Sequence, residues 1–153
     1  MWKVADGLFL GTIEDAEDVT SLRSLGVSYV VNCAKELPSS HENELIYLRL
    51  NLKDPDSGLM ECLDAACEFI DNGRRSGGVL VFCQGAISRS PSVVLGYLCH
   101  GGSKLEEAVR ELATVCQTRP NGVFLDQVAM HFENRSLSDK ELQNLIRQLS
   151  HEM

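Results

Sequence analysis

No stretch of this sequence stays apolar for anything near the roughly 20 residues that a membrane-spanning helix needs, so an integral helical membrane protein is excluded. Proline is scarce, at four in 153 residues, and neither a low-complexity tract nor an internal repeat occurs, so no long linker is expected. Basic residues are in deficit, with 14 Lys and Arg against 22 Asp and Glu. The net charge of −8 opposes binding to nucleic acid or anionic lipid, whose phosphates require a basic face. The six cysteines (Cys33, Cys62, Cys67, Cys83, Cys99 and Cys116) include no Cys-x-x-Cys pair, which argues against a zinc site and against a secreted disulfide framework. Reduced thiols are expected. The four histidines are scattered as well, so no metal cluster and no cofactor are called for. The opening residues, Met1 to Asp6, hold neither a signal-peptide apolar core nor a glycine at position 2 for myristoylation. A cytoplasmic protein is expected, with the nucleus as a second compartment.

What is present suffices for one substantial core: 44% of residues are hydrophobic and 24% charged, the balance of a single globular domain over residues 1–153. Gly7 to Gly11 reads as a short strand, Ala16 to Leu25 as a helix closed by Gly26, and Val27 to Cys33 as a β-branched strand. Leu45 to Leu52 alternates with period two. Leu59, Leu63, Ala66, Cys67 and Ile70 recur at helical spacing until the glycines between Gly73 and Gly78 break the pattern. In the second half helices dominate: one introduced by Ser103-Lys104-Leu105-Glu106, one from about Val123 to Glu133, and a C-terminal helix over 138–150 capped by Ser138 and Glu141. This order predicts an α/β fold, a central, mostly parallel sheet of four to five strands flanked by helices.

The most informative segment is Val79-Leu80-Val81-Phe82-Cys83-Gln84-Gly85-Ala86-Ile87-Ser88-Arg89-Ser90. It reads as a buried strand, a turn carrying a cysteine, and then a helix opening at Ser90. A turn in that place gathers backbone N–H groups into one concavity, and the helix N-terminus adds partial positive charge, so an oxyanion is favoured there. The same field favours a thiolate on Cys83. Arg89 can grip two phosphate oxygens as a planar fork, which lysine cannot. Ser88 can donate to the sulfur, and Gln84, Gly85, Ala86, Ile87, Ser88 and Arg89 form the phosphate-binding loop. The loop carries no lysine, which disfavours a highly charged inositol phosphate as substrate.

Together with Gly7 to Gly11, Leu25 to Ala34, Gly96-Tyr97-Leu98, and Pro120-Asn121 with Phe124 and Gln127, this segment resembles the atypical, small dual-specificity protein phosphatases of the cysteine-dependent phosphatase superfamily, over roughly residues 4–133. The resemblance implies hydrolysis of phosphomonoesters on Tyr and Ser/Thr in phosphoprotein substrates, through a cysteinyl-phosphate on Cys83. It also implies a general acid on the loop after the alternating strand, where Asp54 matches the family position and Asp56 is the second candidate. Two residues depart from the pattern: Phe82 stands where the family usually has histidine, and Ala86 where it usually has glycine. They imply weakened activity or, as the alternative, a pseudophosphatase that acts as a phosphoprotein-binding or scaffold module. Cys33 resembles a position at which some superfamily members keep a second thiol able to trap the oxidised nucleophile, and a buried core cysteine is the other reading. Asn121 and Arg119 are weighed as rim contacts against ordinary turn and helix-end roles, and His100 and His131 as structural. The loop from Lys35 to Glu44 is expected at the surface near the mouth, where its acidity would favour basic flanking sequence in a substrate.

Overall fold

The computed structural model describes residues 1–52 and 58–152. Five strands, β1 (Trp2–Ala5), β2 (Leu8–Gly11), β3 (Tyr29–Ala34), β4 (Ile46–Leu52) and β5 (Val79–Phe82), form one sheet in the order β1-β2-β5-β3-β4. All neighbours are parallel except β1 and β2, which are antiparallel. The helices are α1 (Ile13–Glu17), α2 (Val19–Ser24), α3 (Leu59–Arg75), α4 (Arg89–His100), α5 (Leu105–Val115), α6 (Gly122–Glu133) and α7 (Asp139–Ser150). No helix among the described residues is long and apolar enough to cross a membrane.

Strand side chains alternate between faces, so β5 serves two cores at once. Val79, Val81 and then Cys83 join the larger core under α3 to α7, whereas Leu80 and Phe82 join a smaller one with Phe9, Ala16, Leu22, Val27, Val30 and Leu45. A sheet buried on both faces needs continuous apolar strands, which is why the run at 79–82 is legible.

The α/β architecture with a mostly parallel sheet is as expected, with local differences. The helix anticipated over Ala16 to Leu25 is two short helices, because Asp18 ends α1 and caps α2 by accepting from Ser21 N at 3.2 Å. The edge strand β1 had no clear sequence signal. Gly73, read as a breaker, lies inside α3. A Cβ there would stand 2.2 Å from Val79 Cγ2 and 2.7 Å from Tyr29 Cβ, so the glycine lets the crossover helix approach the sheet. α5 is capped one residue later than expected, with Glu107 accepting from the Lys104 N–H at 2.9 Å.

Candidate active site

Because β5 ends at Phe82 and α4 begins at Arg89, residues 83–88 make the turn between the carboxyl edge of the sheet and a helix N-terminus. Its outward carbonyls are tied down: Gln84 O accepts from Ile13 N at 3.2 Å and Ile87 O from Arg119 N at 2.8 Å. Among the described residues, the N–H groups of Gln84, Gly85, Ala86 and Ile87 meet no acceptor. Four unpaired donors in one turn beside a helix N-terminus are the elements of an anion nest.

Cys83 is 3% exposed, and its sulfur lies 3.0 Å from Ser90 Oγ and 3.5 Å from Ser90 N. The hydroxyl at the sulfur in this structure is thus that of Ser90, where the sequence points to Ser88. Ser88 precedes α4, and its Oγ accepts from Asn121 N at 3.0 Å, so it ties the loop to the N-terminus of α6. Ser90, in the first turn of α4 and fully buried, is the hydroxyl that meets Cys83. The sequence carries no signal for this contact, because Ser90 follows the arginine rather than lying between cysteine and arginine.

Ala86 adopts φ +55° and is buried, its methyl part of the larger core. A left-handed alanine costs about 1–2 kcal/mol relative to glycine, so the substitution inferred from the family pattern falls where glycine would be easier. Phe82 points to the opposite face from Cys83 and fills the smaller core without reaching the cradle.

Arg89 donates through Nη1 and Nη2 to the two carboxylate oxygens of Glu36, at 2.6 and 2.7 Å, and through Nη1 to Leu52 O at 3.3 Å. Hydrogen bonding to Arg89 holds the Glu36 carboxyl at about 2, so it is ionised at neutral pH. Glu36 lies on the β3–β4 loop, which is strapped from beneath. The buried Asn32 donates to Leu37 O and Pro38 O at 3.0 and 3.3 Å, and Arg49 donates to Ala34 O, Lys35 O and Leu37 O. Nothing in the sequence links Glu36 to Arg89, 53 positions away; only the loop's expected place near the mouth hinted at it.

In the parallel pairing of β3 with β5, Asn32 is opposite Phe82, so Cys33 and Cys83 come next at the same level and share the larger core. Burial pushes the Cys33 thiol well up, and the neighbouring Cys83 pushes in the same direction. All six cysteines are free thiols. Asp54 and Asp56 lie outside the described residues. Asn121 caps α6, its side chain accepting from Phe124 N at 2.9 Å, while the Arg119 side chain pairs with Glu152 at 2.5 Å. His100 pairs with Asp71 and His131 with Asp64, on the helices α3, α4 and α6. Among the described residues no group of His, Cys, Asp and Glu side chains is arranged to hold a metal ion.

A family model described as "Dual specificity phosphatase, catalytic domain" matches residues 8–135. The chain is 36% identical over 145 residues to Dual specificity protein phosphatase 22-A of Danio rerio, covering 91% of this chain and 68% of that protein. It is 29% identical over 141 residues to Dual specificity protein phosphatase 1 of Arabidopsis thaliana, covering 90% of this chain and 71% of that one. Of a rhodanese domain-containing phosphatase of Dictyostelium discoideum it spans only 20%. Among solved structures it superposes on human DUSP28 with a TM-score of 0.82 and 28% identity, over 88% of this chain and 96% of that one. The human tyrosine phosphatase-like serine/threonine/tyrosine-interacting protein gives 0.78 at 26% identity, over 86% and 94%. A cysteine at the mouth of an amide nest, followed six residues later by arginine, sits in a matched region that spans most of the chain: this protein belongs to the dual specificity phosphatase family.

Proposed function

We propose that this protein is a protein phosphatase that hydrolyses phosphomonoesters of Tyr and of Ser or Thr through a cysteinyl-phosphate on Cys83. The observation that carries this reading is the placement of the Cys83 sulfur, 3.0 Å from Ser90 Oγ, at the head of a turn with four unpaired N–H donors. The Cys83 thiolate attacks phosphorus, an S–P bond forms, and the P–O bond to the substrate breaks. Loop amides and Arg89 stabilise charge on the equatorial oxygens, and Asp54, with Asp56 as the second candidate, protonates the departing oxygen. Water then cleaves the S–P bond, releasing inorganic phosphate and returning the thiolate. Ser90 Oγ, donating to the sulfur, eases that second departure. The site needs no cofactor, and the reaction would take place in the cytoplasm or nucleus.

Release of aryl product from a small aryl phosphate tests the reading. Turnover by the wild type that disappears in Cys83→Ser supports it, and phosphate binding without release sinks it. The second reading, a phosphoprotein-binding or scaffold module, draws on Ala86 at φ +55° and on the likeness to a protein called phosphatase-like and interacting.

If strain at Ala86 holds the loop amides out of alignment, Ala86→Gly raises kcat by up to about tenfold, since a single oxyanion donor is worth roughly 10²–10³ when fully engaged. Relief of the left-handed strain is offset by the larger conformational entropy of glycine in the unfolded chain, so stability stays within about 1 kcal/mol. Steady-state kinetics and urea unfolding check both. Cys33 is a candidate redox partner: a sulfenic acid formed on Cys83 by peroxide would condense with the Cys33 thiol, losing water and closing a disulfide.

A further inference from the structure

Glu36 presents to Arg89 the same pair of oxygens that a phosphate would. Both ion-pair contacts are short, at 2.6 and 2.7 Å, and they take up the two terminal nitrogens of the guanidinium. A phosphate that engages those nitrogens must therefore displace the carboxylate or share them with it. Departure of Arg89 would leave the Glu36 carboxylate beside a phosphate dianion. Arg49, the described arginine bonded to the same loop, commits its guanidinium to the carbonyls of Ala34, Lys35 and Leu37. The side chain of Glu36 is 50% exposed, so it can meet a cation brought by another molecule. The loop is also held in place by Asn32 and Arg49, so Glu36 would keep its position when Arg89 leaves.

Resting on the phosphatase reading, we propose that Glu36 and Arg89 form an exchangeable ion pair that selects substrates with a basic side chain next to the phosphoresidue. The phosphate draws Arg89 away from Glu36, and the substrate's Lys or Arg takes its place on the carboxylate. Glu36 is a specificity determinant on this account, and anions without an accompanying cation meet a site already occupied from within.

The test uses binding, so that it stands whether or not the protein turns over. Affinity for inorganic phosphate is measured by calorimetry on the wild type, Glu36→Gln and the loop control Glu42→Gln. Two phosphotyrosine peptides, identical except for Lys or Ala at the flanking positions, are titrated by fluorescence anisotropy into Cys83→Ser with and without Glu36→Gln. The expected result is phosphate binding about tenfold tighter in Glu36→Gln and unchanged in Glu42→Gln, with a preference for the Lys peptide of about tenfold that falls toward parity when Glu36 is replaced. Weaker or unchanged phosphate affinity in Glu36→Gln would show that Glu36 supports Arg89 rather than competing for it, and would overturn the proposal. A Lys preference equal in both backgrounds would overturn it as well. Should Glu36→Gln unfold, the absence of a Lys preference in Cys83→Ser alone is sufficient to reject it. Absence of turnover by the wild type speaks only against the phosphatase reading.

Discussion

Arg89→Lys lowers kcat/KM toward an aryl phosphate by about 10²–10³ while leaving thermal stability close to that of the wild type. Lysine keeps the positive charge but offers one compact ammonium in place of a planar fork, so it cannot hold two equatorial oxygens at once. The fold should tolerate the change, because Arg89 is the first residue of α4, at the edge of the core, and among the described residues its guanidinium contacts a half-exposed carboxylate and one carbonyl. Lysine would retain a single contact to Glu36. Kinetics together with a melting curve separate the two effects: a large loss of rate with an unchanged melting temperature assigns Arg89 to phosphate, and an equal loss of both assigns it to structure.

The second large effect concerns the departure at position 82. Restoring the family's usual residue by Phe82→His does not restore activity; it destabilises the protein by about 2–3 kcal/mol, as does any buried polar group left without a partner. The reason is strand alternation. Phe82 is fully buried in the smaller core, whose buried members Phe9, Ala16, Leu22, Val27, Val30, Leu45 and Leu80 are apolar, and Tyr47, packed against that core, has its hydroxyl accepting from His41 N at 3.2 Å. Phe82→Ala should cost more, about 3–5 kcal/mol, because it removes a large side chain from a core too small to close over the gap. Urea unfolding of the two variants checks the order. A stable, more active Phe82→His would mean that an imidazole finds a partner here which the apolar cluster does not provide.

The contrast between positions 82 and 86 shows what could be read in advance. The central run from Val79 to Arg89 was legible because each signal in it is local: β-branched and apolar residues make a strand, the turn carries glycine, and a helix pattern follows. At position 86 the family pattern has glycine, and the positive φ of Ala86 is the conformation in which a Cβ carries a cost. Other features depend on contacts distant in sequence. Glu36 meets Arg89 because parallel pairing of β3 with β5 brings the end of β3 alongside the turn at 83–88, and no local pattern encodes that meeting. Gly73 looks like any helix breaker until the sheet packed against it is known. Ser88 and Ser90 are equivalent by composition. Helix phase decides between them, because the first turn of α4 carries Ser90 back over β5 while Ser88 faces Asn121.

One measurement addresses the central claim most directly. The wild type is mixed with an aryl phosphate, quenched in acid within the first turnover, and the peptide containing Cys83 is examined by mass spectrometry. The account predicts the mass of one added phosphoryl group on Cys83, none in Cys83→Ser, and an amplitude matching the burst of aryl product. Product release without phosphoryl addition to Cys83, or addition at another residue, would contradict it.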